Sequence, residues 1–554
     1  MKLTLNSDFK QLKCQLDDFL EKARHHSGID KTVLFYSYGD RTQRCQVWKS
    51  VNADFSTVRQ ELFHFLEQQY EEDQSLCTFL KFDFAFNIQK ESWKNVEEIV
   101  RNQFHNNHYR KGISFDENFE ICFLEQELYG RAIIRGLSYD KPNFFDEKNL
   151  NTTILRKYNE QKEPVKINEL QDVWTFDTYA VFYENGQFKQ LQSQFTENGV
   201  RYLAEPKKQH LKMMIKQNAD FIDSQILEDG KFIYGSFPAY DRPIRSYNTI
   251  RHCTTVYALI ETLMIEKKES RLKKIKLAIQ YALTNFYIEI NAKLAYMLDG
   301  SECNKLDEIK LGANAAAILM LTKYQELTGD KSYIQYTEHL ANGILSMVGE
   351  GGSTTHVLHY PSLALKQKFR IVYYDGEAAL ALLRLYQLQP EQKLLETVKL
   401  MFEHFIAERY ERYHDHWLSY CTNELTKICP EEKYFLFGMK NYLRHMIFIR
   451  NRKTSYATLL EMMMAAYQMI DRMRILELEE LFNKSYFEEL KKLIEFRTEF
   501  QRTGFFYPEV AMYMAHPDKI LHAFYVRHDR FRVRIDDQEH NLSGYISYVQ
   551  NFEY

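Results

Sequence analysis

Two rhythms of apolar residues divide this chain near Glu205-Pro206. Upstream, short β-branched and aromatic runs alternate with helical stretches. The runs are VLFYSYG (33–39), CQVWKS (45–50), CTFLKFDFAF (77–86) and VWTFDTYAVFYENGQFKQL (173–191); the helices fall at about 55–72, 93–105 and 121–134. A charged amphipathic helix, MKLTLNSDFKQLKCQLDDFLEKARHH, opens the chain. Asn185-Gly186 lies between two apolar-aromatic arms, and residues that accept positive φ at that point predict a tight hairpin. Residues 1–205 are expected to form a small α+β domain.

Downstream the pattern is helical almost throughout, in two alternating kinds. One kind is long and charged along one face: 209–226, 271–290, 331–348, 391–410, 431–449 and 483–496. The other is poor in charge and rich in small or apolar residues: 251–265, 311–327, 376–388, 416–425, 455–470 and 540–552. A helix that is apolar all round must be enclosed, and small residues let such helices crowd one axis. Strict alternation of six outer and six inner helices predicts an (α/α)6 toroid over 206–554. A solenoid of helix pairs would repeat at near-constant length, whereas these inner helices start roughly 60, 65, 40, 40 and 80 residues apart. The sixth is expected to follow a short strand and a turn in FRVRIDDQEHNLSGYISYVQNFEY. The whole reads as a mainly α chain with a smaller α+β domain first.

In such a ring all inner helices run the same way, so the residues at their N-termini gather at one mouth. The first helix brings Arg242, Arg245, Asn248, Arg251 and His252, and the second Lys310 and Asn314. The third brings Tyr373, Tyr374, Asp375 and Glu377, and the fourth His414, Asp415, His416 and Trp417. The fifth brings Arg450, Arg452, Lys453 and Ser455, with Glu461 deeper, and the sixth Arg534, Asp536, Asp537 and His540. A solvated rim would favour Lys and Glu. Arg, Asp, His, Tyr and Trp on a concave mouth read as a binding site.

Asp375, Glu377, Asp415, Asp536, His252 and His416 are the candidate acids, bases or nucleophiles, because two carboxylates across a cleft can divide those roles in glycoside cleavage. Arg245, Asn248, Arg251, Lys310, Asn314, Tyr374, Trp417, Arg450, Glu461, Arg534 and His540 are the candidate substrate contacts. Arginines suit a uronate or phosphate, and neutralising a uronate carboxylate acidifies its α-proton, as epimerisation or β-elimination requires. Simpler roles compete: Asp375 and Asp415 as helix N-caps, His252 as a packed histidine, Trp417 as a rim residue against the next helix.

Composition narrows the field. Lys+Arg 72 against Asp+Glu 76 leaves a formal charge of −4, which argues against a surface built for nucleic acid. Hydrophobic content of 45% with only 10 Pro and 20 Gly excludes a disordered or fibrous chain. No apolar run reaches the ~18 residues of a membrane span, and the opening helix lacks the apolar core of a signal peptide. Eight cysteines without CxxC or zinc-finger spacing predict a reducing, cytoplasmic setting in a bacterium. No P-loop, strand-borne GxGxxG, GxSxG or HExxH occurs, so neither cofactor nor metal is expected.

The segments EDGKFIY (228–234), YNTIRHCTTVYAL, KLGANAAAILMLTKYQELTGD, GEGGST, YYDGEAALALLRLY, DHWL and YATLLEMM resemble the six-hairpin (α/α)6 toroids of carbohydrate-active proteins, the glycoside hydrolases, uronate epimerases and polysaccharide lyases. The resemblance covers about 206–554 and implies a fold, with no acid/base pair carried over. Lanthionine-cyclase toroids share the general shape and hold zinc on two Cys and one His. Here no Cys-His-Gly follows Cys253, and Cys421 and Cys429 fall elsewhere. The expected function is turnover of an anionic saccharide or small acidic substrate by carboxylate or His chemistry. The alternatives are a tailoring enzyme for a peptide or amino-acid polymer and a non-catalytic scaffold.

Overall fold

The computed structural model describes residues 7–24, 31–73, 79–103, 105–129, 131–136, 142–159, 162–184, 186–193, 197–300, 305–481 and 483–553. Asn185 of the expected hairpin turn, residues 77 and 78 of one expected strand, and Cys77 and Cys303 lie outside them. The chain divides into two compact units, the first made of 1–204, 236–243 and 503–533 and the second of 205–235, 244–502 and 534–554.

The first unit is built on an antiparallel sheet. Its strands are β1 (Thr32–Gly39), β2 (Gln46–Asn52), β3 (Phe79–Ser92), β4 (Gly112–Ser114), β5 (Cys122–Phe123), β8 (Asp172–Glu184) and β9 (Gln187–Gln190); β6 (Ile134–Arg135) and β7 (Phe144–Phe145) pair separately. The order is β2-β1-β3-β8-β4-β5, with β9 on β8 through a tight turn that Gly186 enters at φ 82°. Helices α1 (Ser7–Arg24) and α2 (Phe55–Asp73) bury Leu12, Leu16, Leu20, Val58, Leu62 and Leu66 against Leu34, Leu80, Phe82 and Phe84 of one face. Helices α3 (Trp93–Arg101) and α4 (Glu147–Tyr158) share a second core around Trp93, Val96, Leu150 and Ile154. The segment 503–533 contributes Met512 and Tyr513 to a third, beside a fully buried Lys81–Asp83 ion pair at 2.6 Å. The helix expected at 121–134 does not form. Cys122 and Phe123 pair with β4, and Glu127 folds back onto the Leu124 amide at 2.8 Å, closing one turn at Glu125–Leu128 that goes no further.

The second unit is an (α/α)6 toroid. Its inner helices are α6 (Thr249–Glu261), α8 (Leu311–Thr328), α10 (Tyr373–Leu388), α12 (His416–Ile428), α15 (Thr458–Ile475) and α18 (Ile535–Asn551). Each packs on the next and α18 packs on α6, which closes the ring. The outer helices are α5 (Lys207–Gln225), α7 (Glu269–Asn285), α9 (Ile334–Ser346), α11 (Gln392–Ala407), α13 (Glu432–Leu443) and α16 (Lys484–Gln501), with the short α14 (Met446–Asn451) and, in the first unit, α17 (Pro508–Ala511). Small residues set the spacing as expected: a Cβ on Gly376 of α10 would stand 2.8 Å from the Leu418 amide nitrogen of α12.

Two expected boundaries move. The outer helix expected at 271–290 ends at Asn285, because Tyr287–Asn291 pairs with Leu294–Gly300 as the first strand of a five-stranded sheet inserted between hairpins. The last inner helix begins at Ile535, five residues before 540, with Arg534 as its N-cap. Asp536 and Asp537 therefore sit in its first turn, where backbone N–H groups and the helix dipole favour carboxylates. Among the described residues no helix is long and apolar enough to cross a membrane.

Candidate active site

The inner helices of the second unit bring Glu377, His416, Glu461 and His540 together within their first two turns. His416 opens α12 behind its N-cap Asp415, whose carboxylate accepts from the Leu418 amide at 2.8 Å. The same aspartate presents Oδ1 3.2 Å from His416 Nδ1, and His416 Nε2 is buried with no hydrogen-bond partner. The rings of His416 and His540 meet edge to face, 5.2 Å between centroids. Tyr373 and Trp417 flank His416 at 5.4 and 5.0 Å between ring centroids.

His540 is held from the other side. Its Nδ1 lies 3.0 Å from Glu461 Oε2 and 3.3 Å from Glu539 Oε1. Glu461 also accepts from the Tyr420 hydroxyl at 3.2 Å, and Glu539 from the Thr254 hydroxyl at 3.1 Å. Burial disfavours the imidazolium, but the Glu539 and Glu461 carboxylates outweigh it and push His540 up to about 10. Burial raises the Glu539 carboxyl, and the His540 charge beside it opposes that rise. Glu377 is buried among acids: desolvation first, then the charges of Asp415 and Glu539, hold it well above the carboxylate range. Its Oε2 makes no hydrogen bond and faces Gly312, where a Cβ would come within 2.4 Å.

The pocket therefore sets the His540 ring against two glutamates, a Glu377 carboxyl held neutral, and the His416 ring, whose Nδ1 faces Asp415 while its Nε2 is uncommitted. Single ligand atoms of His416, Glu461 and His540 lie within 4.8 Å of one another, a spacing a divalent cation would fit. The proton that His540 holds toward Glu461 and Glu539 already supplies positive charge there.

Most of the remaining candidates are engaged in the frame. His252 is buried between α6 and α7, its ring nitrogens 2.8 Å from Tyr247 Oη and 2.8 Å from the Ala278 carbonyl. Asn248 caps α6 and donates to Asp299 at 3.0 Å; Asn314 bonds the Met297 amide and the Lys310 carbonyl. Lys310 sits 3.3 Å from both Asp299 and Glu308. Asp375 takes the Thr354 hydroxyl and lies 3.0 Å from His356 Nε2. Tyr374 packs on His356, and Arg450 pairs with Glu489 on the surface. Arg251, Asp536 and Arg534 form one chain at the mouth: Arg251 Nε to Asp536 at 2.8 Å, Arg534 to Asp536 at 2.6 Å, and Arg251 to the Tyr234 hydroxyl at 2.7 Å. Arg245 is exposed.

Glu539, Tyr420 and Thr254 escaped the sequence reading. Tyr420 is four residues after His416, the spacing that puts two side chains on one helical face, so that signal was present. Thr254 carried none.

No protein-family model and no curated protein matches the chain. Solved structures similar to it include a cellobiose 2-epimerase from Bacillus thermoamylovorans, at 13% identity and a TM-score of 0.48, over 62% of this chain and 99% of that one. A D-mannose isomerase is similar at 11% identity and a TM-score of 0.48, over 63% of this chain and 100% of its own. A sugar epimerase from a ruminal bacterium is similar at 12% identity and a TM-score of 0.47, over 63% and 100%.

Proposed function

We propose that the second unit is a saccharide epimerase or isomerase that moves a proton on the carbon next to the carbonyl of an open-chain sugar. The observation that carries this reading is the His416–His540 pair, two imidazoles set edge to face whose carboxylate partners differ. His416 Nε2, uncommitted and with Asp415 opposite Nδ1, takes the C–H proton. The C–H electron pair becomes the C=C bond of an enediol, and the carbonyl oxygen takes a proton from His540, whose Nδ1 side is held by Glu461 and Glu539. Returning the proton to the other face of the same carbon, with the former carbonyl oxygen giving its proton back to His540, epimerises it; returning it to the former carbonyl carbon, with the neighbouring hydroxyl giving its proton to His540, isomerises the sugar. The neutral Glu377 donates to a sugar hydroxyl or to the enediol oxygen, and Trp417 and Tyr373 wall the pocket.

Glycoside cleavage by a carboxylate pair is less well supported. Asp375 and Asp536 are bonded into the frame, and Asp415 caps α12 through one oxygen while the other stands 3.2 Å from His416 Nδ1. The neutral Glu377 has the state of a general acid but, among the described residues, no carboxylate opposite it that is free of such duties. The test is proton exchange. Reducing sugars, neutral and acidic, are incubated with the protein in D2O and followed by NMR. Deuterium should enter at the carbon beside the carbonyl, and His416→Asn and His540→Asn should each slow entry by about 10²–10⁴-fold, the usual range for general acid–base groups. Exchange that persists in both variants, or no exchange with any sugar of the panel, defeats the proposal.

A further inference from the structure

Three loops of the second unit lead into the third, fourth and fifth inner helices, at 365–372, 408–415 and 444–457, and so stand on the mouth side of the ring. Each exposes aromatic rings that a solvated rim has no need of. Phe369, Tyr413, Phe448 and Tyr456 are 37–43% exposed, and Ile447 is 74% exposed. The rings are not scattered. Phe369 stacks on Tyr413 at 6.2 Å; His414, the next residue, stacks on His445 at 4.6 Å; His445 stacks on Phe448 at 4.3 Å; and Phe448 meets Tyr456 edge-on at 6.0 Å. Burial, with His414 beside it, holds His445 down to about 4, so this ring joins the arc as an uncharged face. The arc reaches the pocket. Burial and then the neighbouring Tyr456 raise the phenol of Tyr373, and Tyr373 packs on His416 at 5.4 Å.

The same loops are cationic. They carry nine Lys and Arg against three Asp and Glu. Lys366 and Arg370 pair with Glu308, Arg450 with Glu489, and Arg409 and Arg444 approach Glu411, which leaves Lys368, Arg412, Arg452 and Lys453 as the cations of the arc. Arg452 lies over both Phe448 and Tyr456, 5.4 and 4.9 Å from their centroids, and Arg412 lies over Tyr413 at 5.1 Å. Tyr456 is held at φ 41°, a conformation unusual for a bulky residue and one that clusters at binding sites. Aromatic faces stack on the C–H faces of pyranose rings, and guanidinium groups pair with carboxylate or phosphate. An isolated sugar in the pocket would leave this whole arc unused.

We propose that the three loops form a track for an anionic oligosaccharide, whose reducing end enters the His416–His540 pocket while the chain behind it lies along Tyr456, Phe448, Tyr413 and Phe369. This rests on the proton-transfer reading for what happens at the reducing end, and its own test is of binding. Titrations by calorimetry use oligogalacturonates of one to eight residues, phosphorylated mannan oligosaccharides, and neutral maltooligosaccharides of equal lengths. One acidic series should bind at least tenfold tighter at six residues than at one, and tighter than the neutral series at every length. Phe448→Ala and Tyr413→Ala, both exposed positions whose melting temperature should not move, should weaken the acidic hexamer at least fivefold and leave the monosaccharide unchanged. Affinity independent of length in both acidic series overturns the track, as does hexamer binding that survives both variants and disappears only with salt. A protein that exchanges deuterium yet shows flat length dependence loses the track alone; one that binds by length but never exchanges loses the proton-transfer reading alone.

Discussion

At the scale of single residues, the chemistry of the pocket is set by who neighbours whom. A histidine beside one carboxylate is ordinary; His540, itself partly exposed, has two buried ones, Glu461 and Glu539. Its proton is retained through neutral pH and released as pH rises through about 10. An acid with that pKa puts the alkaline limb of a pH–rate profile well above neutrality. Glu461→Gln removes one of the two charges that raise it, so the imidazolium becomes easier to deprotonate and the alkaline limb moves down, by about one pH unit or more. Profiles of deuterium exchange from about pH 5 to pH 10.5 in the wild type and Glu461→Gln read this directly. An unmoved limb would mean that another group sets it. The sequence put His540 and Glu461 at the mouth as substrate contacts and His416 among the acids and bases. Their pairing was not legible there, because Glu461 and His540 are 79 residues apart and only the ring closure makes them neighbours.

At the scale of elements, the helix pattern was legible and the strands inserted into it were less so. Inner helices announce themselves because enclosure disfavours charge: α8 buries Leu311–Thr322 without one charged residue. The five-stranded sheet was hidden because TNFYIEIN continues the apolar period of α7 while its β-branched and aromatic residues suit a strand as well. Ring corners carry buried polar groups with structural duties, and His252 is the clearest. It ties α6 to α7 as a neutral ring, and burial lowers its pKa to about 4. In the unfolded chain the same group titrates near 6.5. Between those values the unfolded chain binds the proton and the folded one does not, so stability falls as pH drops from about 6.5 toward 4. Each tenfold change in proton affinity is worth about 1.4 kcal/mol, so the loss reaches about 3 kcal/mol at the acid end. Denaturant midpoints at pH 7 and pH 4 should show the loss in the wild type. His252→Gln should be less stable at pH 7 and lose less on acidification; an equal loss would place the acid sensitivity in other groups.

At the scale of the whole molecule, the toroid is a closed ring, and its last helix closes it. Helix α18 packs on α15 on one side and α6 on the other, with α5 behind it. Leu542, Tyr545, Ile546, Tyr548, Val549 and Phe552 are all buried, on more than one face of the helix. The C-terminal ends are tied as well: Ser543 donates to Glu261 of α6 at 2.8 Å, and Tyr467 of α15 donates to the Glu553 carbonyl at 3.2 Å. The same helix delivers Asp536, Glu539 and His540, so closure and site stand together. Apolar side chains of this size contribute about 1.5–3 kcal/mol each when fully buried, and six of them match or exceed the roughly 5–15 kcal/mol by which domains are stable. Deleting residues from Arg534 onward should therefore leave the apolar flanks of α6 and α15 open and yield insoluble protein. His540→Asn keeps every buried apolar group and should stay soluble with a cooperative melt while losing exchange. A soluble truncation that melts cooperatively would mean that five inner helices suffice. The pocket assembled by the sixth would then have to be abandoned.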